Sequence, residues 1–545
     1  MGKGGEATIG PLKKACDEAK QLNYAPEEKA QLPREPTRKI TAALLSTKNT
    51  TSECWIAYEG SVYDITHWLS KHPGGMHCLM SSAGQDATSV MNSLHKPETL
   101  ANNMRRIRRV GVLDQGDVTG RSPASVRAAA IAKDFAELND KLVKEEWFTF
   151  KPSMYWAVLL RVTSFLVLGI SFVIQGGGKW RLDGEDYSEL FVHDATSLLY
   201  LLLGSVLLGL FFQNIAFIGH DAGHFSITGS IAKDLYIGLV VGNTLTGIDL
   251  GWWKSTHNVH HSATNSVHDD PDIQHFPVLC FEERLSENRW SSYHGRFMPL
   301  LDELTARIVK YQHWYFYPVI FFGRFNLYIQ SIKHVVETCP FVGKGGHGPN
   351  KNEGFKVTNT HTGETQTSYI LHKGTRTQWS LQFITLGIFW YLNHSLLSRL
   401  DVVSAIICFF VTNITAGILH IQIILSHIGM NYCGAGSGST EGKSLISGLE
   451  EEAGYYEWQA LSTLDVDCPP WMDWAHGGLQ FQLEHHLFPR LPRWSLRRLI
   501  PLTDAIFEKY GIPVVRKPFL EANYMVLMQM KRVGEAVSKR KMKQC

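Results

Sequence analysis

His220-Asp-Ala-Gly-His224, His257-Asn-Val-His260-His261 and Gln482-Leu-Glu-His485-His486 are the three stretches that decide how this chain is read. On a helix, positions i, i+3 and i+4 share one face, so each stretch aims two or three side chains at a common point. Imidazole suits redox iron, and ligands pooled from several helices can hold two metal ions. Three such clusters in order, in a chain that also carries long apolar segments, predict a two-iron centre at a membrane.

The membrane reading rests on length. A bilayer-spanning helix needs about 20 mostly apolar residues. Four stretches qualify: Tyr155–Ile174, Leu198–Ile218, Gln378–Leu397 and Val402–Leu425. A fifth, Trp314–Ile332, is interrupted by Pro318 and Gly323 and carries Arg324, Asn326 and Gln330. Counting it as a span would put the third histidine cluster on the opposite membrane face from the first two, so it reads as an interfacial helix. The apolar piece 235–250 reads as re-entrant or surface-lying. With four spans, His220 and His427 leave the membrane on the same side at the same depth, which adds His427 to the candidate ligands. The loop 175–197 sets Lys179 and Arg181 against Asp183, Glu185, Asp186, Glu189 and Asp194, whereas 490–498 and 531–543 are rich in Lys and Arg. Both termini are therefore expected in the cytosol.

Composition excludes several classes. A chain of 545 residues is too long for one ordinary domain, and a net charge of +2 gives no reason to expect nucleic acid. Nine cysteines are scattered without CxxC or CxxCH pairs, which argues against a zinc ribbon, a c-type haem or a disulfide framework. Reducing surroundings fit that pattern. The first residues lack the apolar core of a signal peptide, and Gly2 is followed by Thr8 rather than by Ser or Thr at the myristoylation position. No G-x-G-x-x-G follows a strand, so no nucleotide site is expected.

A separate module occupies 38–115. Trp55–Asp64 alternates around Glu59-Gly60 and reads as a hairpin. Then come Ile65-Thr-His-Trp-Leu-Ser-Lys-His72-Pro73-Gly74-Gly75 and, later, His95. Two neutral imidazoles on opposite faces of a haem make a six-coordinate iron that transfers electrons and has no open position for oxygen. Gly74-Gly75 lets backbone approach a porphyrin closely. This stretch resembles cytochrome b5, which implies haem b with His72 and His95 as axial ligands. It departs from the soluble, acidic form of that family: 38–115 holds nine Lys/Arg, including Arg105, Arg106, Arg108 and Arg109, against six Asp/Glu. Around it, 1–37 reads as a disordered arm, and 116–150, a polar stretch followed by a charged helix, as a linker. Residues 151–530 read as the membrane domain, and 531–545 as a basic tail whose Lys541 and Lys543 look like an endoplasmic-reticulum retrieval signal.

The order H-x3-H, H-x2-HH, Q-x2-HH behind such a module resembles the front-end desaturases from about 38 to 530. The resemblance implies a multidomain fold: a small α+β haem domain, then an all-α membrane domain with four transmembrane helices and a cytosolic histidine-rich cap. It implies a di-iron centre on His220, His224, His257, His260, His261, His427, His485 and His486, with Gln482 a direct or water-mediated ligand. It implies molecular oxygen as co-substrate, a lipid substrate, and electrons from NADH through a separate cytochrome b5 reductase. A homodimer is left open. His476, beside the last cluster, is a candidate for orienting ligands. The Gly/Lys/Thr-rich 342–377 and the Gly/Ser-rich 434–448 depart from the pattern and read as loops.

Two windows narrow the resemblance. His476-Gly-Gly-Leu-Gln-Phe-Gln-Leu-Glu-His-His-Leu-Phe-Pro-Arg-Leu-Pro-Arg493 and Gly251-Trp-Trp-Lys-Ser-Thr-His-Asn-Val-His-His look like sphingolipid long-chain-base Δ8 desaturases. Ala475 stands where that subgroup leads one to expect an aromatic. The expected reaction is a double bond at C8 of a long-chain base. The alternatives are a Δ5 or Δ6 fatty-acyl desaturase, a b5-fused lipid hydroxylase, and a membrane-anchored electron carrier without oxidase chemistry.

Overall fold

The computed structural model describes residues 38–114, 123–177, 195–274, 279–299, 301–340, 355–358, 365–368, 376–433 and 453–544. The expected arm at 1–37, the loop at 434–448 and most of 342–377 lie outside the described residues.

Residues 38–114 form a four-stranded sheet in the spatial order Lys39–Ile40, Arg108–Leu113, Ser61–Asp64, Trp55–Tyr58. The expected hairpin pairs Trp55 with Asp64 and Tyr58 with Ser61. Glu59 and Gly60 both take positive φ (47° and 73°), the geometry that a two-residue turn needs to follow the strand twist. Short helices Met76–Met80, Thr88–Leu94 and Pro97–Met104 complete this α+β module. Ile56, Ile65, Leu69, Ala83 and Ala87 form its buried centre.

The rest of the chain is mainly helical. Among the described residues, three helices are long and apolar enough to cross a membrane: Pro152–Gly177, Ala195–Gly223 and Val402–Leu425. The third expected span does form a helix, Arg376–Leu397, 22 residues long, with Phe383, Ile384, Ile388 and Leu392 exposed. Gln378, Gln382, Asn393 and His394 make it more polar than the other three. The first two spans pack through glycines. A Cβ on Gly204 would lie 2.6 Å from the Val173 nitrogen, and one on Gly176 would lie 2.4 Å from the Leu201 nitrogen. Between helices in lipid, such close backbone approach supplies the packing attraction.

Trp314–Ile332 is divided at Phe322 into helices Gln312–Phe321 and Gly323–Glu337, of 10 and 15 residues, each too short to span a bilayer. Arg324 is fully buried there. Its Nη2 donates to the Thr246 carbonyl (2.6 Å), its Nε donates to the Tyr328 hydroxyl (2.9 Å), and its guanidinium stacks over Phe212. The piece 235–250 forms the end of helix Ile231–Gly238 and a π-helical stretch, Leu239–Thr246, closed by Gly247 at φ 73°.

Two segments differ from expectation. Inside the supposed linker, Pro123–Lys144 is a docked helix. Ile131, Phe135, Leu138 and Leu142 recur at helical spacing and are buried, with Phe135 stacked on Tyr456 and tilted against Phe507. This segment therefore belongs to the core of the second half. The supposed basic tail is likewise the end of helix Phe519–Gln544, where Val533 and Val537 pack against Ala306 and Val309. In both, an apolar stripe lies hidden among charges.

Gly204→Leu is expected to push the first two spans apart and to cost about 1–3 kcal/mol of stability, read as a lower melting temperature in detergent. Gly387→Ala, with nothing within 4 Å of the added carbon, is expected to leave it unchanged.

Candidate metal centre

Four elements converge on one buried region. Helix Ala195–Gly223 ends with His220, and His224 follows one turn later. Helix Leu250–Ser262 starts at Asp249, whose carboxylate accepts from the Trp252 amide, and carries His257, His260 and His261. His427 lies in the turn after Leu425, and helix Gln482–Leu487 supplies Gln482, His485 and His486.

These nine side chains, all expected from sequence, fall into two groups. One ring nitrogen from each of His220, His224, His257 and His485 lies within 4.8 Å of the others, and the same holds for His260, His427 and His486. His261 sits between the groups, its ring 4.8 Å from His485 and 4.3 Å from His486. Gln482 belongs to the second group, its Nε2 lying 3.1 Å from His427 Nε2 and 3.2 Å from His486 Nε2. Its Oε1 is buried without a partner, and a half-turn of the amide aims that oxygen at the same point.

The hydrogen bonds fix which nitrogens are free. His260 Nδ1–H donates to Asp270 (2.8 Å), His427 Nδ1–H to the Ser462 carbonyl (3.2 Å), and His486 Nδ1–H to Gln459 Oε1 (2.9 Å). Each ring therefore turns its Nε2 toward its neighbours, the nitrogen that a metal takes once it carries no proton. In the first group His224 Nε2 and His485 Nε2 are buried with no partner. Buried nitrogens are normally satisfied, so these orphaned lone pairs fit metal ions. With all-imidazole ligation, iron is among the metals they suit.

Charge agrees with this. Burial, then the neighbouring imidazoles, holds His224, His257, His261, His485 and His486 well below the ordinary histidine range, and His427 at about 3. They stay neutral, as ligands must. His260 is the exception. Burial alone would lower it, but the Asp270 carboxylate beside it raises it to about 9. Below that pH, metal binding at His260 must displace a proton.

Sequence reasoning named the clustered side chains but not their supports. Asp270 is fully buried and also accepts from the Asn265 amide (2.8 Å). It lies beyond the histidine stretch, in Asp270-Pro-Asp272. Gln459 and Ser462 lie on helix Tyr455–Ser462, which carried no motif. The helix bearing Gln482 is braced from behind, where Asp465 accepts from the Leu483 amide (2.9 Å) and Arg516 bonds Glu484 (3.2 Å). His476, expected to orient ligands, instead bonds Gln422 and faces Phe519.

The other expected pair also meets. The His72 and His95 rings have centroids 5.9 Å apart, a spacing at which two imidazoles can hold one metal between them. His72 Nδ1–H donates to the Gly75 carbonyl and His95 Nδ1–H to the Met91 carbonyl, both at 3.0 Å, which leaves each Nε2 free. Burial lowers His72 and takes His95 to about 4, so both are neutral. A Cβ on Gly74 would lie 2.8 Å from His72 Cε1, and Gly75 has φ 93°, so both glycines are required. The residues present therefore fit a haem.

The two sites are joined directly. Asn258 Nδ2 donates to the Gly74 carbonyl (3.2 Å), and Ser81 Oγ meets Ser262 Oγ (3.0 Å). Ser93, two residues before His95, donates to the Leu487 carbonyl (2.8 Å) and the His486 carbonyl (3.2 Å). Tyr455 hydroxyl bonds Ser93 as well (3.3 Å).

Residues 195–518 match the family described as Fatty acid desaturase, and 41–114 match the Cytochrome b5-like Heme/Steroid binding domain. The chain belongs to the fatty acid desaturase family, with a cytochrome b5-like domain ahead of the desaturase part, and is an oxidoreductase of the desaturase type. It is 31% identical to the Delta(8)-fatty-acid desaturase of Helianthus annuus, covering 90% of both chains. It is 28% identical to the Acyl-lipid (9-3)-desaturase of Borago officinalis, over 91% of this chain and 93% of the relative. Identity to the Delta 8-(E)-sphingolipid desaturase of Komagataella phaffii is 29%, over 88% and 91%.

Asp270→Asn removes the charge that holds His260. It is expected to weaken metal binding about 10–100-fold, seen as loss of iron from the purified protein on dialysis against a chelator, with the haem spectrum kept.

Proposed function

We propose that this protein introduces a double bond at C8 of a sphingolipid long-chain base, using molecular oxygen and electrons delivered through its own haem domain. The observation that carries the chemistry is the pair of adjacent imidazole groups, whose own helices are hydrogen-bonded to the His72–His95 module. A methylene C–H is strong and nonpolar, and no acid, base or nucleophile in the chain can open it. Bound iron would supply the oxidant for both hydrogens. The reaction consumes one oxygen molecule, two electrons and two protons, and yields the alkene and two waters.

In this reading His220, His224, His257 and His485 hold one iron. His260, His427 and His486, with Gln482, hold the other, and His261 stands between them. Asp270, Gln459 and the Ser462 carbonyl orient the second set. The ligands are buried, which excludes bulk water from the reacting carbon. His72 and His95 hold haem b and pass single electrons that originate in NADH and arrive from a separate cytochrome b5 reductase.

The same reading sets Arg376–Leu397 as a fourth span, paired with Val402–Leu425. Both termini and both metal-binding modules then lie in the cytosol, at the endoplasmic-reticulum membrane. The haem module is 38–115, and the desaturase domain begins at the docked helix Pro123–Lys144 instead of at 151.

Position 8 is common to the names of the sunflower and yeast relatives, and the yeast name gives the lipid class. Similarity to the Borago acyl-lipid enzyme supports a second reading, a front-end fatty-acyl desaturase. Expression in a eukaryotic host without front-end desaturases decides between them. Mass spectrometry of the sphingoid bases is expected to find a new C8 double bond. A new bond confined to acyl chains would establish the second reading, and a hydroxyl without an alkene would mean hydroxylase chemistry. His485→Ala is expected to abolish the lipid product while the haem spectrum persists.

A further inference from the structure

The cleft between His72 and His95 is covered by the desaturase half. Its His72 rim is docked through Gly74 and Ser81, which meet Asn258 and Ser262. Its His95 rim is docked through Ser93 and through Lys96, whose Nζ donates to the Gly229 carbonyl (3.2 Å). Residues of the second half therefore stand across the mouth of the cleft.

Two of them are cations. Lys254 precedes Asn258 by one turn on the same helix face and is 9% exposed. Its ammonium lies 3.7 Å from the centre of the Phe225 ring and 3.4 Å from the Gly223 carbonyl. Arg490 follows the Gln482–Leu487 helix, and its Nε is buried with no hydrogen-bond partner. The charge of Lys254 is felt at His72 and Cys78, and that of Arg490 at His95, Lys96 and Lys254 itself.

Among the described residues, Asp234 is the one carboxylate acting on both. Its oxygens already accept from the Thr228 amide (3.0 and 3.2 Å) and hydroxyl (2.6 Å). Burying cations without a counter-charge is costly. Burial pushes Lys254 down to about 7 and Arg490 to about 10. A haem carries two carboxylates on one edge of an otherwise apolar ring.

We propose that Lys254 and Arg490 of the desaturase half bind the two carboxylates of the haem, so that the cofactor is clamped between the two halves. This rests on reading His72 and His95 as the haem ligands. It makes the desaturase half part of the haem site. It also gives these residues control of the potential, because nearby positive charge favours the reduced haem.

The test uses the full chain loaded with haem, and a second preparation loaded with haem dimethyl ester, whose carboxylates are blocked. Transfer of haem to excess apomyoglobin and the haem midpoint potential are measured for the parent, for Lys254→Gln with Arg490→Gln, and for Lys254→Arg with Arg490→Lys. The expected result is haem loss about tenfold faster in the Gln double variant, the size of one charge-assisted contact. Its potential falls as well, and the charge-conserving variant stays near the parent. With the ester, parent and Gln variant are expected to release haem alike. Equal release and equal potential with native haem overturn the proposal. So does a variant effect that persists undiminished with the ester, which would mark a purely structural role. A chain whose spectrum shows no haem uptake overturns the reading of His72 and His95, and this inference falls with it.

Discussion

The Leu250–Ser262 helix touches both candidate sites from adjoining sides, and the rest of the molecule is arranged around it. His257, His260 and His261 turn into the buried cluster, while Asn258 and Ser262, on the neighbouring stripe, bond the haem module. The helix N-terminus is held by Asp249, which also bonds His334 (2.6 Å) and Asn243 (3.1 Å), so the register of both sides is fixed from outside the site.

Collecting this many imidazoles in a buried place is unfavourable by itself. The Nε2 atoms of His224 and His485 lose water and gain no protein partner, and neighbouring rings oppose one another's protonation. Metal binding would offset that cost, and the supports are polar and exact in direction. Asp270, Gln459 and Ser462 each take a hydrogen from the far side of a ring. Only His260 receives a full carboxylate, so the ring raised to about 9 is also the one whose nitrogen would bind metal most strongly once its proton is gone.

Much of this was legible before any coordinates. The clustered side chains were visible because helical spacing converts sequence into direction: x3 and x2 gaps put side chains on one face. His427 was reached by parity alone, as the residue leaving the membrane at the depth of His220. The supports were not legible, since Asp270 reaches His260 through a turn and Gln459 reaches His486 across the fold. The docking of Pro123–Lys144 was not legible because Lys133, Asp134, Glu137, Asp140 and Lys141 mask the stripe at Ile131, Phe135, Leu138 and Leu142. The polar Arg376–Leu397 helix shows the converse: length and position suggested a span, but its amides and His394 leave it less apolar than its partners. The contact between the halves depends on single side chains such as Ser93 and Asn258, which carry no pattern of their own.

On the proposed function, the haem module feeds the histidine cluster of its own chain through this direct contact. The decisive measurement is stopped-flow absorbance of the haem, pre-reduced and then mixed with oxygen and lipid substrate at several protein concentrations. Transfer within the chain gives a single re-oxidation rate that does not change with protein concentration. A rate that rises in proportion to concentration would mean that electrons pass between chains instead.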